Sequence, residues 1–325
     1  MCAVELRRGG LRLSGTALWL DATQKSELSF VSHAHSDHIA RHERVIATSA
    51  TLRLMSHRLG QIPAGLPVPY NRPFALGALQ IELLPAGHML GSAQIRVTRD
   101  DGRRIAYTGD LNLAPSLTAE AAQVVECDTL ILEATFGHPR YRFPPKEQVL
   151  SQLETWLREK LDRGHTPVLL GYALGKSQEV IAFLERRGFE VAAHPSICDL
   201  ASIYSEFGVA LSPLRRFNGT VRSGEVLVFP PHLSRSVSIS RIWPRSVAVL
   251  SGWATDAAAI RWYRSDAAFP LSDHADFDSL VDYARRTGAK EVITHGGFAE
   301  QLASSLRERG SVARAVGRPL QLRLF

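Results

Sequence analysis

The segment Ser32-His33-Ala34-His35-Ser36-Asp37-His38 constrains this chain more than any other feature. Three histidines and one aspartate crowd together directly behind an apolar run, Leu28–Val31, that reads as a strand. In extended backbone alternate residues share a face, so His33 and His35 converge, while Asp37 and His38 turn towards a second point. Imidazole nitrogen and carboxylate oxygen are ligands for zinc and also for manganese or iron. The bland alternative is a solvated histidine-rich loop, but a cluster this dense rarely arises from composition. His42 and His57 are isolated and read as ordinary surface or core histidines.

Three later segments repeat the pattern of a strand ending in a ligand. Ile81–Leu84 runs into Pro85-Ala86-Gly87-His88, with Gly87 and Gly91 allowing close backbone approach. Arg104–Tyr107 runs into Thr108-Gly109-Asp110, and one carboxylate with two oxygens can bridge two cations about 3.5–4 Å apart. Ile293-Thr294-His295-Gly296 closes the series. Taken singly, His88 and His295 read as buried histidines and Asp110 as a turn residue. Together the four strand ends describe one rim of a sheet.

Composition limits the alternatives. The 325 residues suffice for a large core or two domains, and 45% hydrophobic against 22% charged residues fits a globular protein. No apolar run approaches the roughly 18 residues of a membrane span. The arginine-bearing N-terminus lacks an apolar block behind it, so the expectation is a cytoplasmic protein without a signal peptide. Cys2, Cys127 and Cys198 are too few and too scattered for a disulfide framework or a thiolate zinc site. A net charge of +6 is compatible with a polyanionic partner and equally with a solvated arginine surface.

The texture of the chain changes twice. Residues 11–136 hold many short β-type runs, among them Ala17–Leu20, Glu43–Ala47, Gln94–Val97 and Thr129–Glu133, with helical patterns at Asp37–Arg41 and Thr51–Leu59. From Pro145–Arg163, an amphipathic helix, strands and helices alternate, which implies parallel pairing. The expected order is strand Pro167–Tyr172, helix Lys176–Arg187, strand Phe189–Ala193, helix Asp199–Phe207 and strands Glu225–Phe229 and Val247–Ser251. A helix Phe277–Thr287, a strand Glu291–Thr294, a helix Phe298–Arg309 and a terminal strand Pro319–Phe325 complete the chain.

The HxHxDH element, His88 and Asp110 together resemble the signature of the metallo-β-lactamase superfamily. Three further segments resemble its β-CASP branch of nucleic-acid nucleases: Glu133 in Leu132-Glu133-Ala134-Thr135-Phe136-Gly137, His274 in Leu271-Ser272-Asp273-His274-Ala275-Asp276, and His295. Tyr172-Ala173-Leu174-Gly175-Lys176-Ser177-Gln178 resembles a strand-to-helix turn of the inserted domain. Within the branch, the wording is similar to the bacterial ligase-associated DNA exonucleases and to mRNA 3′-end processing factor-like proteins. The resemblance implies an α/β fold, a four-layer αββα sandwich spanning residues 1–137 and 271–325, with a parallel α/β β-CASP domain inserted at 138–270.

It also implies the site. Two metal ions, zinc or else manganese, would be held by His33, His35, His88 and Asp110 and by Asp37, His38, Asp110 and His295. Asp37 would in addition orient the nucleophile, and His274, held by Glu133, would protonate the leaving oxygen. Lys176, opening a helix, is a candidate phosphate contact. Ser251 and Trp253, at a strand end, are candidate substrate contacts, Trp253 by stacking a base. Arg140-Tyr141-Arg142-Phe143 interleaves cations and aromatics at the expected domain junction and is a further candidate for substrate binding. The implied activity is hydrolysis of phosphodiesters in single-stranded or end-bearing nucleic acid, with a DNA ligase or helicase system as partner. An RNA nuclease of the 3′-end processing type, a small-molecule hydrolase of the same superfamily and a catalytically silent binding subunit are the competing readings.

Overall fold

Period-two alternation of apolar side chains explains the layers. In the strands Arg104–Tyr107, Thr129–Glu133 and Glu291–His295, the residues Ile105, Tyr107, Ile131 and Ile293 share one buried cluster. Their neighbours Ala106, Leu130, Leu132 and Val292 belong to another. A strand buried on both faces must be covered on both. The computed structural model, which describes residues 3–62, 64–256 and 258–317, shows what covers each face.

The first face packs against a second sheet, through Leu11, Leu13, Leu18, Leu20, Phe30 and Ile46. The second is covered by the helices Phe277–Arg286 and Ala299–Glu308, through Phe277, Leu280, Tyr283, Leu302 and Leu306. Deleting one such side chain, for example Leu132→Ala, costs about 2–5 kcal/mol. The inner sheets have six and seven strands. In the seven-stranded one Thr129–Glu133 lies between Arg104–Tyr107 and Glu291–His295, parallel to both, with Glu133 opposite His295. On the six-stranded sheet Leu18–Leu20, Leu28–Phe30 and Arg44–Ala47 run parallel. The helix Ser49–Leu59 sets Leu52 against Gly65 of the edge strand Gly65–Pro67.

The chain divides into two compact units, the second comprising Ser116–Thr118 and Phe143–Asp273. The expected insertion, 138–270, is displaced by a few residues at each end. His138 and Tyr141 belong to the first unit, where the Phe277 N–H donates to the Tyr141 carbonyl. Ser116–Thr118 belongs to the second because the Ser116 and Thr118 hydroxyls and the Leu117 N–H all donate to the Glu179 carboxylate. That unit is built on an all-parallel sheet in the order Arg215–Arg216, Glu190–Ala193, Glu225–Phe229, Thr166–Leu170, Arg245–Leu250, Ala267–Phe269. Leu169, Val226 and Val228 face the helices Lys146–Asp162 and Lys176–Arg186, while Val168, Leu227 and Phe229 face Ile239, Ala259 and Tyr263.

Several expectations change. Asp37–Arg41 is not a helix: Ser36–His38 is a turn closed by the His38 N–H on the His35 carbonyl at 3.1 Å. The hairpin Val4–Arg7 with Gly10–Leu13 was not anticipated, because its polar face is unusually arginine-rich. The helix expected from Asp199 begins at Pro195, with His194 capping the Ser196 N–H. The strand Ala313–Val316 pairs with Glu291–His295, while the expected strand Pro319–Phe325 lies outside the described residues, as does Cys2. Cys127 and Cys198 are buried free thiols. No helix among the described residues is long and apolar enough to cross a membrane.

Candidate metal centre

Every strand that carries a ligand ends at the same rim. Leu28–Phe30 delivers the His33–His38 loop, Leu79–Pro85 delivers His88, Arg104–Tyr107 delivers Asp110, and Glu291–His295 ends in His295. Two glycines permit the approach. At Gly87, φ is +76° and a Cβ would lie 2.0 Å from the Asn112 carbonyl; at Gly109, φ is +55° and a Cβ would lie 2.5 Å from that of Ser32. Only glycine fits both the conformation and the space.

His33, His35, His88 and Asp110 form one tight group. His33 Nε2 and His88 Nε2 each lie 3.1 Å from His35 Nδ1. Asp110 Oδ2 is 3.4 Å from His33 Nε2 and 3.7 Å from His88 Nε2. Four ligands around a tetrahedral zinc, with bonds near 2.0–2.1 Å, would stand about 3.3 Å apart. The side chains are therefore spaced as the edges of a coordination tetrahedron. Burial, with the neighbouring imidazoles of His38, His88, His35 and His274, holds His33 well below the usual histidine range. A neutral imidazole is the form that ligates a metal.

Asp110 Oδ2 also lies 3.5 Å from His38 Nε2 and 3.8 Å from His274 Nε2, so four imidazoles surround one carboxylate oxygen. Burial raises Asp110 to about 6. At His38 burial pushes downward, but Asp110, Asp21 and Asp37 outweigh it and lift the ring to about 10. Carboxylates that favour a proton on Nε2 favour a metal cation there for the same electrostatic reason.

Asp21, which sequence reasoning missed, fixes the orientation of these rings. Its carboxylate is buried and accepts from the Ser32 N–H and hydroxyl, both at 2.6 Å, from the Tyr107 hydroxyl at 2.8 Å and from His38 Nδ1 at 2.8 Å. A carboxylate only accepts, so His38 carries its proton on Nδ1 and presents the Nε2 lone pair inward. The Ser32 hydroxyl, spent on Asp21, must accept from His33 Nδ1 at 2.9 Å, and His33 Nε2 is likewise left as a lone pair. The signal was present: Asp21 follows the apolar strand Leu18–Leu20, as Asp110 follows Arg104–Tyr107. It also adopts φ +48°, a conformation Asp tolerates better than most residues.

The predicted Glu133–His274 pair is formed, with His274 Nδ1 3.2 Å from Glu133 Oε1. The carboxylate also accepts the Leu111 N–H at 2.8 Å and the Thr135 N–H at 3.1 Å. Burial opposes its charge, but His274 and these donors hold Glu133 well below the usual carboxylate range. The His274 ring stands 4.6 Å from that of His88.

The remaining predicted residues are placed less tightly. Asp37 is 79% exposed, with Oδ2 3.8 Å from His38 Nε2. His295 packs its ring 5.2 Å from that of Tyr107, and its Nε2 is buried without a hydrogen-bond partner among the described residues. Burial lowers His295 to about 4, with Glu133, His38 and Asp21 as its charged neighbours. A buried lone pair of this kind fits a metal ligand. Lys176 is buried, its ammonium 2.8 Å from Asp273 Oδ1 and 2.9 Å from the Leu271 carbonyl, so it is an internal ion-pair partner where a solvent-facing phosphate contact was expected. Ser251 is buried and caps the short turn Gly252–Thr255 by accepting from the Trp253 N–H, and Trp253 is half-buried.

Comparison with known proteins decides the family. Residues 15–178, half of the chain, match the family described as "Beta-lactamase superfamily domain". The chain belongs to this superfamily. A protein from Opitutus terrae named "Probable DNA ligase" is 40% identical over 316 residues, covering 97% of this chain and 31% of that one. An "RNase J-like protein" from Methanocaldococcus jannaschii is 24% identical over 269 residues, covering 67% of this chain and 64% of that one. This superfamily member thus spans about a third of the first relative and just under two thirds of the second. A crystal structure of a protein of unknown function from Enterococcus faecalis V583 superposes with a TM-score of 0.59 over 90% of this chain and 79% of that one, at 14% identity. That likeness shows a shared α/β fold, and the His/Asp cluster of this chain is suited to divalent metal.

Proposed function

We propose that this superfamily member is a metal-dependent nuclease that hydrolyses phosphodiester bonds in single-stranded or end-bearing DNA. The observation that carries the proposal is the convergence of four imidazoles on one oxygen of Asp110, beside a histidine held by Glu133. His33, His35, His88 and Asp110 would hold one ion, and Asp37, His38, Asp110 and His295 a second, with zinc favoured by the nitrogen-rich set and manganese as the alternative. When bound, such ions supply an activated water and offset charge on phosphate oxygens.

The protein's own groups supply the rest. Asp21 and Ser32 each fix a proton on Nδ1, of His38 and of His33, so that Nε2 is the nitrogen turned towards the centre. Glu133 keeps the His274 proton on Nδ1, so Nε2 is free to take up a proton and deliver it to the leaving oxygen. Asp37, exposed beside His38, would orient the attacking group.

DNA is favoured over RNA because the relative that aligns with 97% of this chain is named for a DNA ligase. A DNA ligase or helicase system in the cytoplasm is the partner this reading implies. The match to an RNase J-like protein supports RNA cleavage as the second reading. The deciding experiment incubates the purified chain with 5′- and 3′-labelled single-stranded DNA and RNA side by side, with zinc or manganese. Stepwise shortening of DNA from one end is expected. Cleavage of RNA alone would transfer the proposal to the second reading, and cleavage of neither would remove it.

A further inference from the structure

The second unit carries a concavity of about 500 Å³ lined by residues that no catalytic argument uses, among them His165, Arg222, Arg241 and Trp243. The lining segments immediately precede the strands Thr166–Leu170, Glu225–Phe229 and Arg245–Leu250, so it opens at the amino ends of the parallel sheet. Ligands of parallel α/β sheets ordinarily sit at the opposite, carboxyl ends.

Three features point to a ligand. Among the described residues, neither the Arg222 nor the Arg241 guanidinium has an ion-pair or hydrogen-bond partner, whereas Arg215 and Arg216 of the same unit are paired with Glu225 and Asp199. The lining contains no carboxylate; of the two that flank it along the chain, Asp162 and Glu225, the second is committed to Arg215 and to the Arg222 N–H. Trp243 is 87% exposed, the most exposed of the large apolar side chains among the described residues. Two unpaired guanidiniums bind phosphate oxygens, and an indole in water offers a stacking face to a base. A free anion would use the arginines and leave the tryptophan unexplained; a single strand uses both.

We propose that Arg222, Arg241 and Trp243 form an auxiliary site for single-stranded nucleic acid on the second unit, built from none of the residues proposed for cleavage. The choice of polymer rests on the nuclease reading. The probe is a fluorescein-labelled, phosphorothioate-linked thymidine 20-mer, titrated by anisotropy across a range of salt. Trp243→Ala weakens binding about tenfold, the loss of one stacked base. Arg222→Ser with Arg241→Ser lowers the slope of log K against log[salt] by about 1.4, two single-strand phosphate contacts. Lysine at both positions restores the slope. Turnover of a dinucleotide, too short to engage a second site, stays at the wild-type rate in every variant.

Variants that bind the 20-mer with wild-type affinity and slope overturn the proposal, whatever the wild type cleaves; so does a parallel loss of dinucleotide turnover, which marks general damage. A wild-type protein that binds the 20-mer through Trp243 but cleaves nothing sinks the nuclease reading and leaves this site standing.

Discussion

Asp21 shows how much of the centre depends on groups that would not touch the metal. One carboxylate sets the tautomers of His38 directly and of His33 through Ser32. Asp21→Asn keeps the shape and tolerates φ +48° but removes the charge. Metal affinity is expected to fall about 10–100-fold, the usual effect of removing such a partner, measured by competition with a chromophoric chelator; unaltered affinity would show that Ser32 and Tyr107 suffice. At Glu133, Gln in place of the carboxylate leaves the metal content intact while turnover drops by about 10²–10⁴-fold, because His274 loses its fixed proton. Loss of metal along with activity would make Glu133 a structural support of the centre. The proposed ligands are legible in the sequence as His or Asp behind apolar runs. Asp21 carries the same signature, yet one Asp after a short strand is indistinguishable from a turn residue until its four donors are seen.

Elements are where the sequence misled most. A helix was expected over Asp37–Arg41 because the pattern of polar and apolar residues allows one, but His38 Nδ1 is drawn back to Asp21, and the segment closes as a turn. Lys176 has the position of a phosphate contact, at the start of the helix Lys176–Arg186, but its ammonium is spent on Asp273 and the Leu271 carbonyl. A stem long enough to fold inward gives no sign of this in one dimension. Lys176→Met should therefore destabilise the protein by about 3–5 kcal/mol, since it removes one charged partner of a partly buried carboxylate. Urea denaturation measures this, and an unchanged midpoint with a raised KM would return Lys176 to the substrate. Gly109→Ala, whose Cβ meets that of Ser32 at 2.5 Å, should lower stability by about 1–3 kcal/mol and loosen Asp110. The strands around Asp110 are readable by contrast, because Arg104–Tyr107 and Thr129–Glu133 are short apolar runs set off by turn residues.

For the whole molecule, the interrupted sandwich was implied by the family resemblance, while the parallel sheet of the second unit followed from alternating strands and helices. The unit boundaries shifted because single side chains, Glu179 above all, recruit short segments that composition cannot assign. The central claim is a centre built from distant residues around Asp110, and metal analysis tests it most directly. Purified wild-type protein is expected to hold about two transition-metal ions per chain, and Asp110→Ala to lose both together with nuclease activity. Wild-type protein that cleaves DNA after exhaustive removal of metal, or Asp110→Ala protein that retains two ions, would contradict it.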